Sequence, residues 1–147
     1  MGDISYYNSE RYPDPTAYAG LTAAIKAEKA KKYKPVVYIC SPYSGNIKRN
    51  TANARRYCRF AVDSGCIPIA PHLFLPQFMS EETDARGERS LSPDAMFMNF
   101  VFLSKCREIW VFGDKITAGM ADEIEKAKQR KIPIRYFSDE IREVTKR

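Results

Sequence analysis

Apolar residues follow two different rhythms along the chain, and these rhythms predict its secondary structure. Short runs rich in β-branched and aromatic residues are typical of buried strands, and from Pro35 onward there are four, at residues 36–40, 67–70, 109–112 and 132–137. Between them, apolar residues recur at the spacing of helices that bury one face. Strands that alternate with helices in this way predict an α/β domain with a parallel sheet and right-handed crossovers.

Capping signals predict where the helices begin and end. The helix after the first strand is predicted to begin at Asn50 or Thr51 and to end at Gly65, while Ser92 followed by Pro93 begins the next one. Their predicted inward faces are Ala54, Tyr57, Cys58, Ala61 and Val62 in the first helix, and Phe97, Phe100, Val101 and Ser104 in the second. The resulting interpretation is a Rossmann-like (flavodoxin-like) parallel sheet of about four to five strands with helices on both faces.

Three segments lie outside this regular alternation. Residues 1–34 are predicted to be an N-terminal extension with a helix over residues 16–32, which leaves residues 35–147 as the α/β domain. A charged loop over residues 77–91 is predicted to be mobile or to act as a lid. The chain after Phe137 is predicted to form a short terminal helix.

Composition favours one cytoplasmic domain without a metal. At 147 residues and 44% hydrophobic content, the chain is long enough to bury one continuous core. No apolar stretch approaches the roughly 20 residues that span a bilayer, and the N-terminus lacks the pattern of a secretion signal. The four cysteines form no Cys-x-x-Cys pair and there is one histidine, so we expect reduced thiols, no metal and no cofactor.

The net charge of +6 raises the question of nucleic-acid binding. Many basic residues lie in three clusters, over residues 26–34, 48–59 and 126–131. The first and third fall at predicted helix C-termini, where cations offset the helix dipole, and acidic residues such as Glu28 and Glu125 interrupt them. Nucleic acid is therefore the least favoured partner, although the second cluster begins beside a predicted ligand loop.

Candidate ligand-binding residues follow the first and third strands. In open parallel sheets ligands bind beyond the carboxyl ends of the strands, where helix N-termini offer free amides. The loop after the first strand contributes small and hydrogen-bonding residues, namely Ser41, Tyr43, Ser44, Gly45 and Asn46. The loop after the third strand contributes Asp114, Thr117, Gly119 and Met120 and leads into a helix that carries Asp122 and Glu123. These loops predict a site for a small molecule that carries a phosphate or a sugar.

Two motifs add a resemblance to a known family. The segments Tyr38-Ile39-Cys40-Ser41-Pro42-Tyr43 and Ala118-Gly119-Met120-Ala121-Asp122-Glu123-Ile124-Glu125-Lys126-Ala127 resemble the strand and helix motifs of the nucleoside 2-deoxyribosyltransferase-like superfamily. The similarity spans about residues 35–137 and is closest to small bacterial and phage proteins of a DUF4406-like branch. It implies that the chain assembles as a homo-oligomer, with pockets completed by a neighbouring subunit.

The resemblance also implies roles for individual residues. Glu123 matches the glutamate that attacks the anomeric carbon of the sugar, and Tyr38 matches the tyrosine that orients it. Ser41 and Thr117 would lie near a sugar or a phosphate. The acid that protonates the departing base should lie on the helix before the third strand, but Asn99 occupies that position, and an asparagine cannot donate a proton as an acid.

Each of these residues also has a purely structural interpretation. Glu123 suits the first turns of any helix because of the dipole, Tyr38 suits a buried strand, and His72 suits a partly buried strand end that would still adjoin a ligand. The apolar residues after the second strand, Phe74, Phe78 and Met79, are expected to anchor the long loop, with stacking on a base as the alternative. Three functions therefore stay open: glycosidic-bond cleavage, nucleotide binding without turnover, and nucleic-acid binding.

Overall fold

The computed structural model describes residues 15–31, 33–79, 81–83 and 89–145. The chain divides into two compact units between Lys34 and Pro35. The first unit contains helix α1, Pro15–Lys31. The elements of the second are β1 (Val36–Cys40), α2 (Ile47–Asp63), β2 (Ile67–Ile69), β3 (Glu81–Thr83), β4 (Arg89–Leu91), α3 (Pro93–Ser104), β5 (Glu108–Phe112), α4 (Ala118–Gln129), β6 (Ile134–Phe137) and β7 (Glu143–Val144), with 3-10 turns at Pro71–Leu73 and Leu75–Gln77.

The main sheet has five strands in the order β2-β1-β5-β6-β7. The first four are parallel, and β7 pairs antiparallel with β6. The predicted α/β fold with a mostly parallel sheet and an N-terminal helix is confirmed. The prediction of a terminal helix is wrong. The chain reverses at Ile141, which adopts a positive φ of 60°, and returns beside β6 as the edge strand β7.

Alternating side chains of the sheet supply two apolar layers. On one face, Val37 and Ile39 of β1 pack with Tyr57 of α2, and a stacked series joins Tyr57 to Phe112 at 4.2 Å and Phe112 to Phe137 at 4.8 Å between ring centroids. The other face carries Tyr38, Cys40, Ile109 and Val111, which pack with Leu103 of α3 and Met120, Ile124 and Ala127 of α4. Helices therefore cover both faces, and the α3–α4 face holds the side chains considered below.

The N-cap of helix α2 lies four to five residues earlier than the predicted caps, Asn50 and Thr51. Asn46 is its N-cap, and its side-chain oxygen accepts a hydrogen bond from the Arg49 backbone N–H at 3.1 Å. Asn50 instead donates from its side-chain amide to the carbonyls of Tyr43 and Ser44, at 3.1 and 2.9 Å. Asn50 therefore fixes the loop after β1 from inside the helix.

The predicted inward face of α3 is wrong, although its start is as expected, with Ser92 as N-cap. The buried residues are Ala95, Asn99 and Leu103, whereas Phe97 is 67% and Val101 45% exposed. Because apolar residues fill almost every position from 95 to 103, periodicity cannot select a face in this helix. The consequence is functional, since the structure turns Asn99 inward.

The long loop after β2 contains two short strands that the pattern did not predict. Strands β3 and β4, which flank the undescribed residues 84–88, pair antiparallel as a small separate sheet. Before it, Phe74 packs edge-on against Phe102 of α3 at 5.6 Å, as expected of an anchor, whereas Phe78 is 71% exposed. Across the described part of the chain, no helix is both long and apolar enough to cross a membrane.

Candidate functional site

The strand order places a topological switch point between β1 and β5. The chain leaves β1 toward β2 on one side, while β5 and β6 lie on the other, so the loops after β1 and β5 diverge and leave a crevice at the carboxyl edge. A cleft of about 410 Å³ lies there. Its walls come from the loop after β1, the start of α2, the loop after β5 and the turn after β6: Pro42, Ser44, Asn46, Arg49, Asn50, Asn53, Tyr57, Gly113, Asp114, Lys115, Thr117 and Asp139.

Two helix N-termini and charged side chains of both signs surround this cleft, with Asp114 and Asp139 as its carboxylates. The N-caps of two helices, Asn46 of α2 and Thr117 of α4, both line it, so two positive helix ends point toward the same space. Arg49 and Lys115 add two cationic side chains. Asp114 also lines the cleft, and a carboxylate suits the hydroxyl groups of a sugar.

Asp139 closes the third side of the cleft and is a residue that the sequence pattern missed. Its side-chain oxygen accepts the Asp114 backbone N–H at 3.0 Å, and its carbonyl accepts a hydrogen bond from Arg56 at 2.6 Å. Gly113 has a φ of 107°, and a Cβ there would lie 3.3 Å from the Asp139 side chain and 3.5 Å from Pro42. The turn after β6 thus holds the loop after β5 in place.

Glu123 lies in the second turn of α4, six residues after the cap residue Thr117, and it is buried. Burial raises the pKa of its carboxyl from 4.5 to about 8, although hydrogen bonds with the side chains of Tyr38 and Cys40 act in the opposite direction. Asp122 raises it further through like charge. The carboxyl therefore changes its protonation state close to neutral pH.

The partners of Glu123 come from the middle of the sheet. Tyr38 is 1% exposed, and burial together with the charge of Glu123 raises the pKa of its phenol well above the usual value. The phenol thus stays neutral and can act as a hydrogen-bond donor. Burial and Glu123 also raise the pKa of the Cys40 thiol, which lies 4.0 Å from the Met120 carbonyl. The structure therefore joins the two predicted catalytic residues, Glu123 and Tyr38, in one buried cluster.

Asn99 is buried on α3, where it is 1% exposed. Its side-chain nitrogen lies 3.8 Å from the Met96 sulfur, and its side-chain oxygen has no hydrogen-bond partner. An unsatisfied buried acceptor typically costs about 1–3 kcal/mol. A buried oxygen without a partner in a native structure indicates either strain or a hydrogen bond that a ligand can complete.

Helices α3 and α4, which carry Asn99 and Glu123, pack against each other. Phe100, the next residue after Asn99, lies with its ring centroid 5.5 Å from the ammonium of Lys126, which is three residues after Glu123. Leu103, one turn after Asn99 on the same buried face, belongs to the same cluster as Ile124. Asn99 and Glu123 therefore lie on the buried faces of two helices that pack against each other.

His72 forms a second buried group with the loop after β1. Its Nε2 lies 3.4 Å from the Ser41 hydroxyl oxygen, and its ring centroid is 5.8 Å from that of Tyr43. Burial lowers the pKa of the imidazole from 6.5 to about 4, so the ring is neutral at neutral pH. It therefore positions the loop after β1 as an uncharged group.

The predicted site residues thus separate into three sets. Ser44, Asn46, Asp114 and Thr117 line the cleft; Ser41, Tyr43 and His72 form the imidazole group; and Tyr38, Asn99, Met120 and Glu123 lie on the α3–α4 face. Gly45 is exposed with a φ of 90°, which a turn requires, and a Cβ on Gly119 would meet no atom within 4 Å. Arg49, which lines the cleft, belongs to the basic cluster predicted to begin beside a ligand loop, whereas sequence reasoning did not name Asn53, Lys115 or Asp139 as site residues.

Comparisons with known proteins give a family and a distant structural similarity. No curated protein matches the chain. A 2-deoxyribosyltransferase from the psychrotolerant bacterium Bacillus psychrosaccharolyticus has 17% sequence identity and a TM-score of 0.45, with 76% of this chain and 77% of that chain covered. A similarity of this size does not transfer an activity. The model of a domain of unknown function, DUF7768, matches residues 35–137, and the chain therefore belongs to the DUF7768 family.

Proposed function

We propose that this protein cleaves or transfers the N-glycosidic bond of a nucleoside or nucleotide, with Glu123 as the nucleophile. The observation that carries this proposal is the buried pairing of Glu123 with Tyr38, on a helix whose cap residue Thr117 lines the cleft. A carboxyl with a pKa near neutrality, on a helix that begins at a polar cleft, is a feature expected of an active site. The motif resemblance to the nucleoside 2-deoxyribosyltransferase-like superfamily supports the same assignment.

The proposed reaction has two displacements at the anomeric carbon. In the first, a carboxylate oxygen of Glu123 forms a bond to this carbon while the bond to the base nitrogen breaks and its electron pair leaves with the base. In the second, water or another base attacks the same carbon and releases Glu123. Tyr38 orients the carboxyl by hydrogen bonding, and the cleft with Arg49 and Lys115 receives the sugar and any phosphate.

A second function has specific support, namely nucleotide binding without turnover. Glu123 with a pKa of about 8 is mostly protonated at pH 7, and a protonated carboxyl is a poor nucleophile. Asn99 stands where the resemblance implies an acid. In this alternative the same residues bind a nucleotide-derived ligand and return it unchanged.

The test is incubation of the protein with a panel of nucleosides, nucleotides and dinucleotides, followed by mass spectrometry of the small molecules and of the denatured protein. Release of free base by the wild type, its loss in Glu123→Ala, and a glycosyl adduct on the intact protein are expected. Glu125→Ala, which removes an exposed carboxylate from the same helix, is the matched control and should retain turnover. Recovery of intact ligand from the wild type would instead support the binding function.

A further inference from the structure

We propose that the substrate carries its base as a preformed cation, as in pyridinium N-ribosides, and that Asn99 recognises this base instead of protonating it. This inference rests on the proposed function and specifies its substrate class. It follows from the set of buried polar groups around Glu123, from the unpartnered oxygen of Asn99, and from the chemistry of the departing base.

The buried part of the described chain offers no suitable acid for the departing base. Its buried polar or charged side chains are Ser41, His72, Asn99 and Glu123, so Glu123 is the one carboxyl among them. His72 is neutral at neutral pH because burial lowers its pKa to about 4. The pKa of Tyr38 lies well above its usual value, which makes the phenol a poor acid. A neutral purine or pyrimidine would have to leave without a proton from these groups.

Asn99 is suited to recognition because its side-chain oxygen is buried and has no partner. The amide cannot ionise, so its position does not change with pH. A ligand N–H, such as that of a carboxamide or an exocyclic amine on the base, would satisfy this acceptor. Asn99 is buried on α3 and Glu123 is buried on α4, which packs against α3. In the proposed complex, a base held by Asn99 directs its glycosidic bond toward the Glu123 carboxyl.

A cationic base removes the need for an acid. When the glycosidic bond breaks, the electron pair moves onto the ring nitrogen, and the positively charged ring leaves as a neutral molecule. Glu123 gains the glycosyl group as an ester, and water then attacks the anomeric carbon. The products are the neutral base, the free sugar and one proton, so atoms and charge balance without a donor at position 99.

The same cation would activate the nucleophile. A positive charge within about 4–6 Å of a carboxyl favours its ionised form. The titratable groups that act on Glu123 are Tyr38 and Cys40 of β1 and Asp122 of α4, and none of them supplies a positive charge at neutral pH. Since the carboxyl of the free protein has a pKa of about 8, binding of a cation at pH 7 would displace its proton. Substrate charge would thereby create the carboxylate that attacks it.

The experiment compares substrates that differ mainly in base charge. 7-Methylguanosine carries a cationic base and guanosine a neutral one on the same ribose, while nicotinamide riboside supplies the pyridinium case. We expect kcat/KM for the two cationic nucleosides to exceed that for guanosine by about 100-fold or more, the lower end of what general-acid catalysis contributes. Asn99→Asp should raise guanosine cleavage by a similar factor and add a pKa to its pH profile.

Each outcome separates this inference from the proposed function. Cleavage of guanosine as fast as of 7-methylguanosine, with both abolished in Glu123→Ala, would overturn the cationic-substrate inference and leave the glycosidic function intact. Absence of cleavage for all three nucleosides and their 5′-phosphates would refute both. The comparison within the wild type needs no variant, so a failure of Asn99→Asp to fold would not remove the test.

Discussion

Replacing Glu123 by glutamine should make the protein more stable at alkaline pH, and the size of the gain follows from the burial of the carboxyl. The folded protein holds Glu123 with a pKa of about 8, whereas an unperturbed glutamate has a pKa of 4.5. Glutamine has nearly the same shape and does not titrate. Its amide oxygen can still accept a hydrogen bond from Tyr38 or Cys40.

The sign of the effect comes from proton uptake. Between pH 4.5 and about 8 the folded state retains a proton that the unfolded chain has released, so the stability of the wild type falls as pH rises through this window. At about 1.4 kcal/mol per pKa unit, the complete window corresponds to about 5 kcal/mol. The part between pH 5 and 8.5 is about 4 kcal/mol, a large fraction of the 5–15 kcal/mol typical of a domain.

Urea unfolding of the wild type and of Glu123→Gln at pH 5, 6, 7, 8 and 8.5 measures this quantity. The useful number is the difference between the two free energies of unfolding at each pH, because all other titrating groups are common to both proteins and cancel. This difference should change by about 4 kcal/mol in favour of glutamine from pH 5 to 8.5. Glu125→Gln, on an exposed position of α4, should show no such trend.

A difference that stays constant over this pH range would refute the reasoning. It would mean that the Glu123 carboxyl ionises near its usual pKa in the folded protein, through water or a cation that reaches it. The argument for activation of Glu123 by a cationic substrate would then fail as well, because no proton would remain to be displaced at neutral pH.

Two further predictions concern the imidazole group and the outer sheet edge. His72→Gln should remove a loss of stability in acid. As pH falls from 6.5 to 4 the unfolded wild type binds a proton that buried His72 does not, so its unfolding free energy falls by up to about 3 kcal/mol. Urea unfolding should show this, and a difference in unfolding free energy between variant and wild type that is the same at pH 7.5 and 4.5 would contradict it. Arg135 donates hydrogen bonds to both carboxylate oxygens of Glu143, at 2.9 and 2.7 Å, and its guanidinium lies 4.9 Å from the Trp110 ring centroid. Because lysine cannot make the paired hydrogen bonds, Arg135→Lys should lower the unfolding free energy by about 1 kcal/mol. An unchanged urea midpoint would count against this.

The sheet and its helices were predictable because their apolar patterns are strong and local. Val36–Cys40 and Glu108–Phe112 are nearly continuous apolar runs, which suit strands buried on both faces. The failures occurred where the pattern carries no directional information. In α3 the near-uniform apolar sequence hid the fact that Asn99 and not Phe97 faces the core, and only packing against α4 settles that choice.

The cleft was only half predictable, for a related reason. Asn46 and Thr117 cap helices and Ser44 lies in the loop after β1, and such positions can be recognised in a sequence. Asp139 follows the last parallel strand in what looked like a tail, and it reaches the site only because the chain turns back as β7. Such a contact joins residues that are far apart in the sequence, so a local sequence pattern cannot predict it.

Two buried polar side chains that destabilise the fold, Glu123 and Asn99, lie on the packed helices α4 and α3. Glu123 is a buried carboxyl and Asn99 has an unsatisfied buried oxygen, and each lowers the stability of the fold. Replacement of either by an apolar residue would remove that cost, so packing alone gives no reason for both to be present on this pair of packed helices. A ligand that brings a positive charge to Glu123 and an N–H group to Asn99 would offset both costs at once. That one ligand can offset both stability costs is the physical argument for a cationic base at this position.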